Sequence, residues 1–268
     1  MNLEVRRMRT ELPRIFEVSC VRAEGKGQQS IFLKGDLCCT PGQFVMVWLP
    51  GVDEKPMAIS YAGNNEFAFA YHTIGTFTEA CDKLKAGDNI GIRGPYGNSF
   101  SVRENAVVVA GGVGMSSVST LIDVLKNPVI LHGARDKDHL MYLSRYKDKE
   151  MICATDDGSY GHKGYITDVL RDILTLRKVG VVYTCGPELM IKKVVEICSE
   201  FGVDCEASLE RYMKCGFGIC GNCLIDDNIL CTEGPIFGIR QLIAMKEFGV
   251  SARLKTGKKV PLKEYYSK

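Results

Sequence analysis

The sequence has no apolar run near the ~20 residues needed to cross a bilayer; its longest, such as Ala106–Ala110, are the size of a strand. The opening segment MNLEVRRMRTELPR is charged and has none of the apolar stretch of a secretion signal. Basic charge is not in surplus, with 34 Lys and Arg against 32 Asp and Glu, which argues against a general nucleic-acid binder. Internal repeats and low-complexity tracts are missing. The composition, 46% hydrophobic and 25% charged over 268 residues, is that of two or three modest globular domains. A soluble cytoplasmic protein is the expectation.

Cysteine, by contrast, is abundant, with twelve in the chain. Without an export signal a disulfide framework is not expected, and free thiols at this density suit a reducing cytoplasm. Eight of them (Cys20, Cys38, Cys39, Cys81, Cys153, Cys185, Cys198 and Cys205) are scattered, and read mostly as small buried hydrophobes. The other four crowd into the segment from Cys215 to Cys231.

From Arg14 to about Phe100 short strands alternate with turn residues: Arg14–Arg22, Ser30–Leu33, Phe44–Leu49, Ala58–Ala62, Phe67–His72 and Asn89–Arg93. This pattern predicts a small antiparallel barrel or sandwich, with one helical interruption at Thr78–Leu84. The rhythm then changes. Strands Ala106–Ala110, Pro128–Leu131, Met151–Thr155 and Val179–Thr184 alternate with helices Met115–Leu125, Asp138–Tyr146, Tyr165–Leu176 and Glu188–Phe201, the signature of a parallel α/β sheet. From Cys205 no regular period survives. The expected division is 1–101, 102–204 and 205–268.

The crowded cysteines follow the spacing Cys215-x4-Cys220-x2-Cys223-x7-Cys231. The first three match the plant-type ferredoxin pattern, which holds a [2Fe–2S] cluster. Leu224-Ile225 and Ile229-Leu230, around Asp226-Asp227-Asn228, predict a hairpin that carries Cys231 back beside Cys223. Zinc is the alternative, although structural zinc sites usually present two C-x2-C knuckles and only one exists here. The run Gly111-Gly112-Val113-Gly114, between a buried strand and a helix, reads as a phosphate-cradling turn, although it departs from the dinucleotide fingerprint. A second turn, Cys185-Gly186-Pro187-Glu188, also joins strand to helix. Two such turns at the carboxyl ends of parallel strands form a crevice where ligands bind. Cys185 is then either a buried small residue or a neighbour of a nicotinamide ring.

The order of β-domain, glycine turn and Cys-Gly-Pro turn resembles the ferredoxin-reductase superfamily. With a cluster segment appended, nearly the whole chain resembles the electron-transfer subunits of NAD-linked, two-subunit dihydroorotate dehydrogenases. The supporting motifs are Pro41–Phe44, Lys55–Ser60, Gly94–Phe100, Thr155–Ser159 and Cys231–Phe237. The resemblance implies an FAD-binding barrel, an NAD-binding α/β domain and a small C-terminal [2Fe–2S] domain. It places Lys55, Pro56, Met57, Ala58 and Ser60 against the flavin. Lys55 stands for the usual arginine facing the phosphates, Ala58 for a hydroxyl, and Ser60 lies two residues further on the same strand. It places Gly75, Phe77 and Thr78 in a second flavin loop, with Thr78 at a helix start beside the FAD pyrophosphate, and Tyr71, His72 and Thr73 just before it. Gly111, Gly112, Gly114, Cys185, Gly186 and Pro187 are implied for NAD, with Ser116-Ser117 where relatives often carry proline. The implied partner is an FMN-containing catalytic subunit in a heterotetramer of two of each, acting in pyrimidine biosynthesis. No acid–base residue of this chain is assigned. Related flavin and iron–sulfur subunits of sulfide dehydrogenases, ferredoxin:NADP oxidoreductases or hydrogenases share these motifs. A zinc-binding interaction protein with a degenerate nucleotide fold is the alternative from another class.

Overall fold

The computed structural model describes residues 11–267. Six strands, β1 (Arg14–Gly25), β2 (Gln28–Lys34), β3 (Phe44–Leu49), β4 (Asp53–Gly63), β5 (Glu66–His72) and β6 (Asn89–Tyr96), close an antiparallel barrel in the order β1-β2-β5-β4-β3-β6. Closure removes the unpaired edges an open sheet would leave. Alternate residues such as Ile31 and Leu33, Val45 and Val47, and Phe67 and Phe69 fill the interior with no exposure. A short helix, α1 (Thr76–Cys81), adds Phe77 and Cys81 to that core. Strand β4 starts five residues earlier than predicted. Pairing of Leu49 with Asp53 through Phe44 with Ala58 draws the residues before Ala58 into the barrel.

The α/β unit comprises β7 (Ala106–Gly111), α2 (Gly114–Val124), β8 (Val129–Ala134), β9 (Met151–Thr155), β10 (His162–Lys163), α3 (Ile166–Leu176), β11 (Val181–Cys185), α4 (Glu188–Phe201) and β12 (Asp204–Ser208). The predicted helix at Asp138–Tyr146 is absent. The Asp136 side chain accepts from the amides of Asp138 and His139 and closes a single 3₁₀ turn over Lys137–His139. Leu140, Met141 and Tyr142 are then buried in succession, which one face of a helix does not allow, and Tyr142 takes φ +60°. Of the scattered cysteines, five are buried as expected, while Cys20 and Cys39 are partly buried and Cys38 is exposed.

The tail of the chain is built into the same body. A hairpin of β13 (Leu224–Ile225) and β14 (Asn228–Ile229) turns on Asp226-Asp227, one residue tighter than predicted, and leads into α5 (Leu230–Glu233). β15 (Ile236–Gly238) then pairs antiparallel with β12, giving a seven-stranded sheet β10-β9-β8-β7-β11-β12-β15. The boundary expected between residues 204 and 205 therefore falls inside a strand, and the last two units share a sheet. The predicted irregular tail after Lys255 holds a strand (Lys259–Pro261), paired with Ser251–Arg253, and a helical turn (Leu262–Tyr265).

Asn98, just past β6, brackets β15. Its side-chain amide donates to the carbonyls of Glu233 (2.9 Å) and Ile236 (2.8 Å) and its oxygen accepts from the Ile236 amide (2.9 Å). Gly97, at φ +78°, permits this approach, because a Cβ there would lie 2.8 Å from the Gly234 carbonyl. Replacing Asn98 by Ala strands three backbone groups, and each costs about 1–3 kcal/mol if left buried and unpaired. Asn98→Ala is expected to accelerate amide hydrogen exchange across 230–238 while the barrel strands keep their protection.

His132, on β8, is fully buried. Its Nε2 accepts from the Met141 amide (3.0 Å), which leaves Nδ1–H to donate to the Ala110 carbonyl (3.3 Å). Burial drives its pKa down to about 4. The unfolded chain therefore binds the extra proton first, and stability that is full above about pH 6.5 is lost as pH falls toward 4. The slope amounts to roughly 3 kcal/mol. Urea midpoints of the parent should fall over that window, and His132→Gln should flatten the dependence.

Candidate functional site

Strands β7 and β11 lie side by side in parallel register, Ala110 opposite Cys185, so the two turns that follow them face each other. Gly114 makes the contact possible: a Cβ there would lie 2.5 Å from the Cys185 carbonyl oxygen. Gly112, at φ +51°, has open space where a side chain would project, and its amide donates to the Gly133 carbonyl (2.8 Å). Gly186 packs on Gly111, and Pro187 precedes α4 as its N-cap residue. The glycine run and the Cys-Gly-Pro turn are thus one structure.

A cleft between the barrel and the α/β unit is lined by Pro56, Met57 and Ala58 of β4, Ser117 of α2, and Ser208 through Arg211 at and beyond the end of β12. Cys185 lies one layer behind the cleft wall with no exposure. Burial pushes its thiol up to about 12, and contacts with Ser117 and Ser208 offset only part of that. A larger groove of about 500 Å³ lies further along β4, between Arg22, Phe32, Tyr61, Tyr142 and Arg145, and holds none of the residues singled out from the sequence.

The implied flavin residues separate into groups. Pro56, Met57 and Ala58 line the cleft, and Lys55 sits 5.9 Å from the Phe77 ring while pairing with Asp53. Ser60 lies two residues beyond Ala58 on the outward face, with Ile59 between them pointing into the barrel core, and is packed into the interdomain seam. There its carbonyl accepts from Ser119 Oγ (2.6 Å) and Arg145 Nη1 (3.0 Å), and its hydroxyl meets Tyr142. Tyr71 is buried in the barrel core and donates to Asp82 (3.0 Å), as does Thr73. Thr78 uses its hydroxyl locally, accepting from the amides of Ile74 (2.9 Å) and Gly75 (3.1 Å). His72 stacks on His139 (6.1 Å), and burial, then His139 and Arg135, hold its pKa below the ordinary value.

The four clustered cysteines converge. Cys223 and Cys231 are buried, Cys215 is partly buried and Cys220 is exposed. They fall into two pairs, Cys215 with Cys220 and Cys223 with Cys231. Backbone amides point at the sulfurs: Gly218 N–H lies 3.2 Å from Cys231 Sγ, and the amides of Cys220, Phe217 and Ile219 address Cys215. Partial burial opposes ionisation of Cys215, yet these donors outweigh it and bring the thiol to about 7. Contact with Cys231 brings Cys223 to about 7 as well. Four thiols with backbone amides aimed at the sulfurs fit a [2Fe–2S] cluster, whose negative charge such donors stabilise.

Residues 210–243 match the family described as the iron–sulfur cluster binding domain of dihydroorotate dehydrogenase B. Over 258 residues, 93% of this chain and 99% of the relative, the sequence is 41% identical to a probable dihydroorotate dehydrogenase B (NAD(+)), electron transfer subunit, of Methanocaldococcus jannaschii. The chain belongs to this family of electron transfer subunits. A relative of the same description from Pyrococcus furiosus is 42% identical over 229 residues, covering 83% of this subunit and 89% of its own length. Among solved structures, an NADH-dependent reduced ferredoxin–NADP oxidoreductase superposes with a TM-score of 0.76 at 26% identity, covering 85% of this subunit and 89% of that chain. A ferredoxin NADP+ reductase of Neisseria gonorrhoeae shares the fold, with a TM-score of 0.61 at 13% identity over 72% of this subunit and 92% of that chain.

Two buried ion pairs of the subunit escaped the sequence reading. Arg211, which lines the cleft, meets Glu188 at the start of α4 with both partners almost fully buried, and Glu188 also accepts from the Gly249 amide (2.7 Å). Arg93 on β6 meets Glu54 on β4 and reaches the cysteine loop. Only the glutamate after Cys-Gly-Pro and the arginine before Gly-Pro-Tyr-Gly hinted at them. The tightness of the facing turns is testable. Gly114→Ala places a methyl against a carbonyl that cannot yield, and is expected to cost about 1–3 kcal/mol, read as a lowered thermal midpoint.

Proposed function

We propose that this subunit passes electrons from the FMN of a dihydroorotate dehydrogenase catalytic subunit, through a [2Fe–2S] cluster and FAD, to NAD+ in pyrimidine biosynthesis. The observation that carries the reading is the meeting of three features within one body: four paired cysteines, a barrel strand lining a cleft, and two glycine-bearing turns that face each other in the α/β unit. An iron–sulfur cluster exchanges single electrons, a nicotinamide takes a pair and a flavin does either, so joining a one-electron relay to NAD+ needs all three.

The chain's own residues divide the work. Cys215, Cys220, Cys223 and Cys231 would hold the cluster, while the glycine-rich loop turns its amides onto the sulfurs and would stabilise their negative charge. Pro56, Met57 and Ala58 form the shelf for the flavin ring, and Lys55 offers its charge to the phosphates beside Phe77 and Gly75. Gly111, Gly112 and Gly114 let the nicotinamide nucleotide approach the start of α2, with Gly186 and Pro187 opposite. Ser117 and Ser208 line the cleft where a ring would enter, and Cys185 supports them from behind as a neutral thiol. Tyr71, His72 and Thr73 form the flavin end of the barrel, and Thr78, in the first turn of α1, would stand beside the FAD pyrophosphate.

As an electron transfer subunit the chain works with a catalytic partner, and we assign a heterotetramer of two of each. Among the described residues no helix is long and apolar enough to cross a membrane, and a cytoplasmic site fits the free thiols.

The test is anaerobic co-purification with the catalytic subunit, followed by titration with dihydroorotate while flavin and cluster absorbance are recorded. Bleaching of both supports the reading. Bound zinc without visible absorption sinks it, and reduction by ferredoxin but not by dihydroorotate moves the subunit to the ferredoxin–NADP oxidoreductases. Cys220→Ser is expected to abolish dihydroorotate-driven flavin reduction while leaving NADH-driven reduction intact.

A further inference from the structure

Behind the cysteine loop lies a charged group that the assigned function does not use. Arg93 is only 8% exposed. Its Nε donates to Glu54 Oε1 at 2.7 Å, and Nη2 donates to Glu54 Oε2 at 2.5 Å and to the carbonyl of Cys215 at 3.0 Å. The guanidinium stands 5.5 Å from the Phe217 ring, inside the cysteine loop, and Nη1 reaches the Tyr96 hydroxyl (3.3 Å). Around it are Glu54 from β4, Tyr96 from β6, and Glu11 at 3.8 Å. Gly216 packs on Met46 of β3, so the loop rests directly on the barrel wall that carries the arginine.

A guanidinium keeps its charge at any working pH. A nearly buried cation tied to the carbonyl of a cluster ligand acts through a medium that screens poorly. Reduction adds one electron to the cluster and breaks no bond, so its charge goes from about −2 to about −3. The electron comes from the dehydrogenase reaction itself. Such a cation favours the reduced form, and its paired carboxylate opposes it. Glu54 also lies on the strand that continues into Pro56–Ala58, so the same ion pair ties the cysteine loop to the wall of the cleft.

We propose that Arg93, clamped by Glu54 and donating to the Cys215 carbonyl, is the positioning residue that sets the reduction potential of the cluster. The inference rests on the reading that the four cysteines hold [2Fe–2S].

The experiment is a redox titration of the purified subunit, followed by visible absorbance and by the electron paramagnetic resonance of the reduced cluster, for the parent, Arg93→Met, Arg93→Lys and Glu54→Gln. Arg93→Met leaves Glu54 uncompensated, and its midpoint should fall. Glu54→Gln leaves the arginine uncompensated, and its midpoint should rise. Arg93→Lys keeps the charge but loses the fork, and should lie between parent and Arg93→Met. Unchanged midpoints, or a shift of Arg93→Met and Glu54→Gln in the same direction, overturn the proposal. Iron and acid-labile sulfide are measured on every sample. Their absence from the parent overturns the cluster reading and the inference with it, whereas a loaded parent with unmoved variants overturns only the inference. If Arg93→Met does not retain iron, the signs for Arg93→Lys and Glu54→Gln decide.

Discussion

Asn98 stands where the last barrel strand ends, and with one side chain it holds three backbone groups of the segment that follows the cysteine loop. β15 can then add to the free edge of β12, and the cysteine loop, the barrel and the parallel sheet are fixed against one another. The loop packs on Met46 and is also held by Arg93 at the Cys215 carbonyl, and the cleft lies between β4 and the residues at and beyond the end of β12. The motifs Pro41–Phe44, Gly94–Phe100 and Cys231–Phe237 are the pieces of this joint: Gln43 donates to the Gly97 carbonyl, and the Phe100 amide to the Pro41 carbonyl.

Charge is used sparingly inside this body. Arg211 with Glu188 is removed from water at a cost that mutual attraction only roughly offsets, and Arg93 is buried likewise against a partly exposed Glu54. Neither pair is a straightforward source of stability. Each sits where two units meet: Arg211 joins the segment before the cysteines to the start of α4, and Arg93 joins the barrel to the cysteine loop. A bidentate guanidinium fixes orientation as well as distance, which a lysine or an apolar contact would not. The same economy appears at Ser60, whose carbonyl receives both Ser119 and Arg145 across the seam.

Much of the fold was legible because it is encoded over a few residues. Phe44–Leu49, Met151–Thr155 and Glu188–Phe201 appear with the bounds expected from their periodicity. The misreadings share one cause. The strand expected from Ala58 begins at Asp53 because the barrel register needs a partner for β3. Asp138–Tyr146 has helical spacing, yet three successive residues must be buried. In each case tertiary demand overrode a local preference that is worth only a fraction of a kcal/mol per residue.

By itself the sequence determined that this protein has a ligand set for an iron–sulfur cluster, two phosphate-type turns and a strand-rich first half. Cysteine spacing, glycine placement and hydrophobic period are properties of short stretches, and sterics within those stretches fix their outcome. Only the tertiary structure decided that the two turns pack on each other, that the thiols divide into pairs, and that Arg93 stands behind Cys215 across 122 residues of chain. Contacts of that kind leave no local period or motif. They exist because the barrel, the sheet and the returning segment bury their surfaces together, and which side chains meet there is settled by packing.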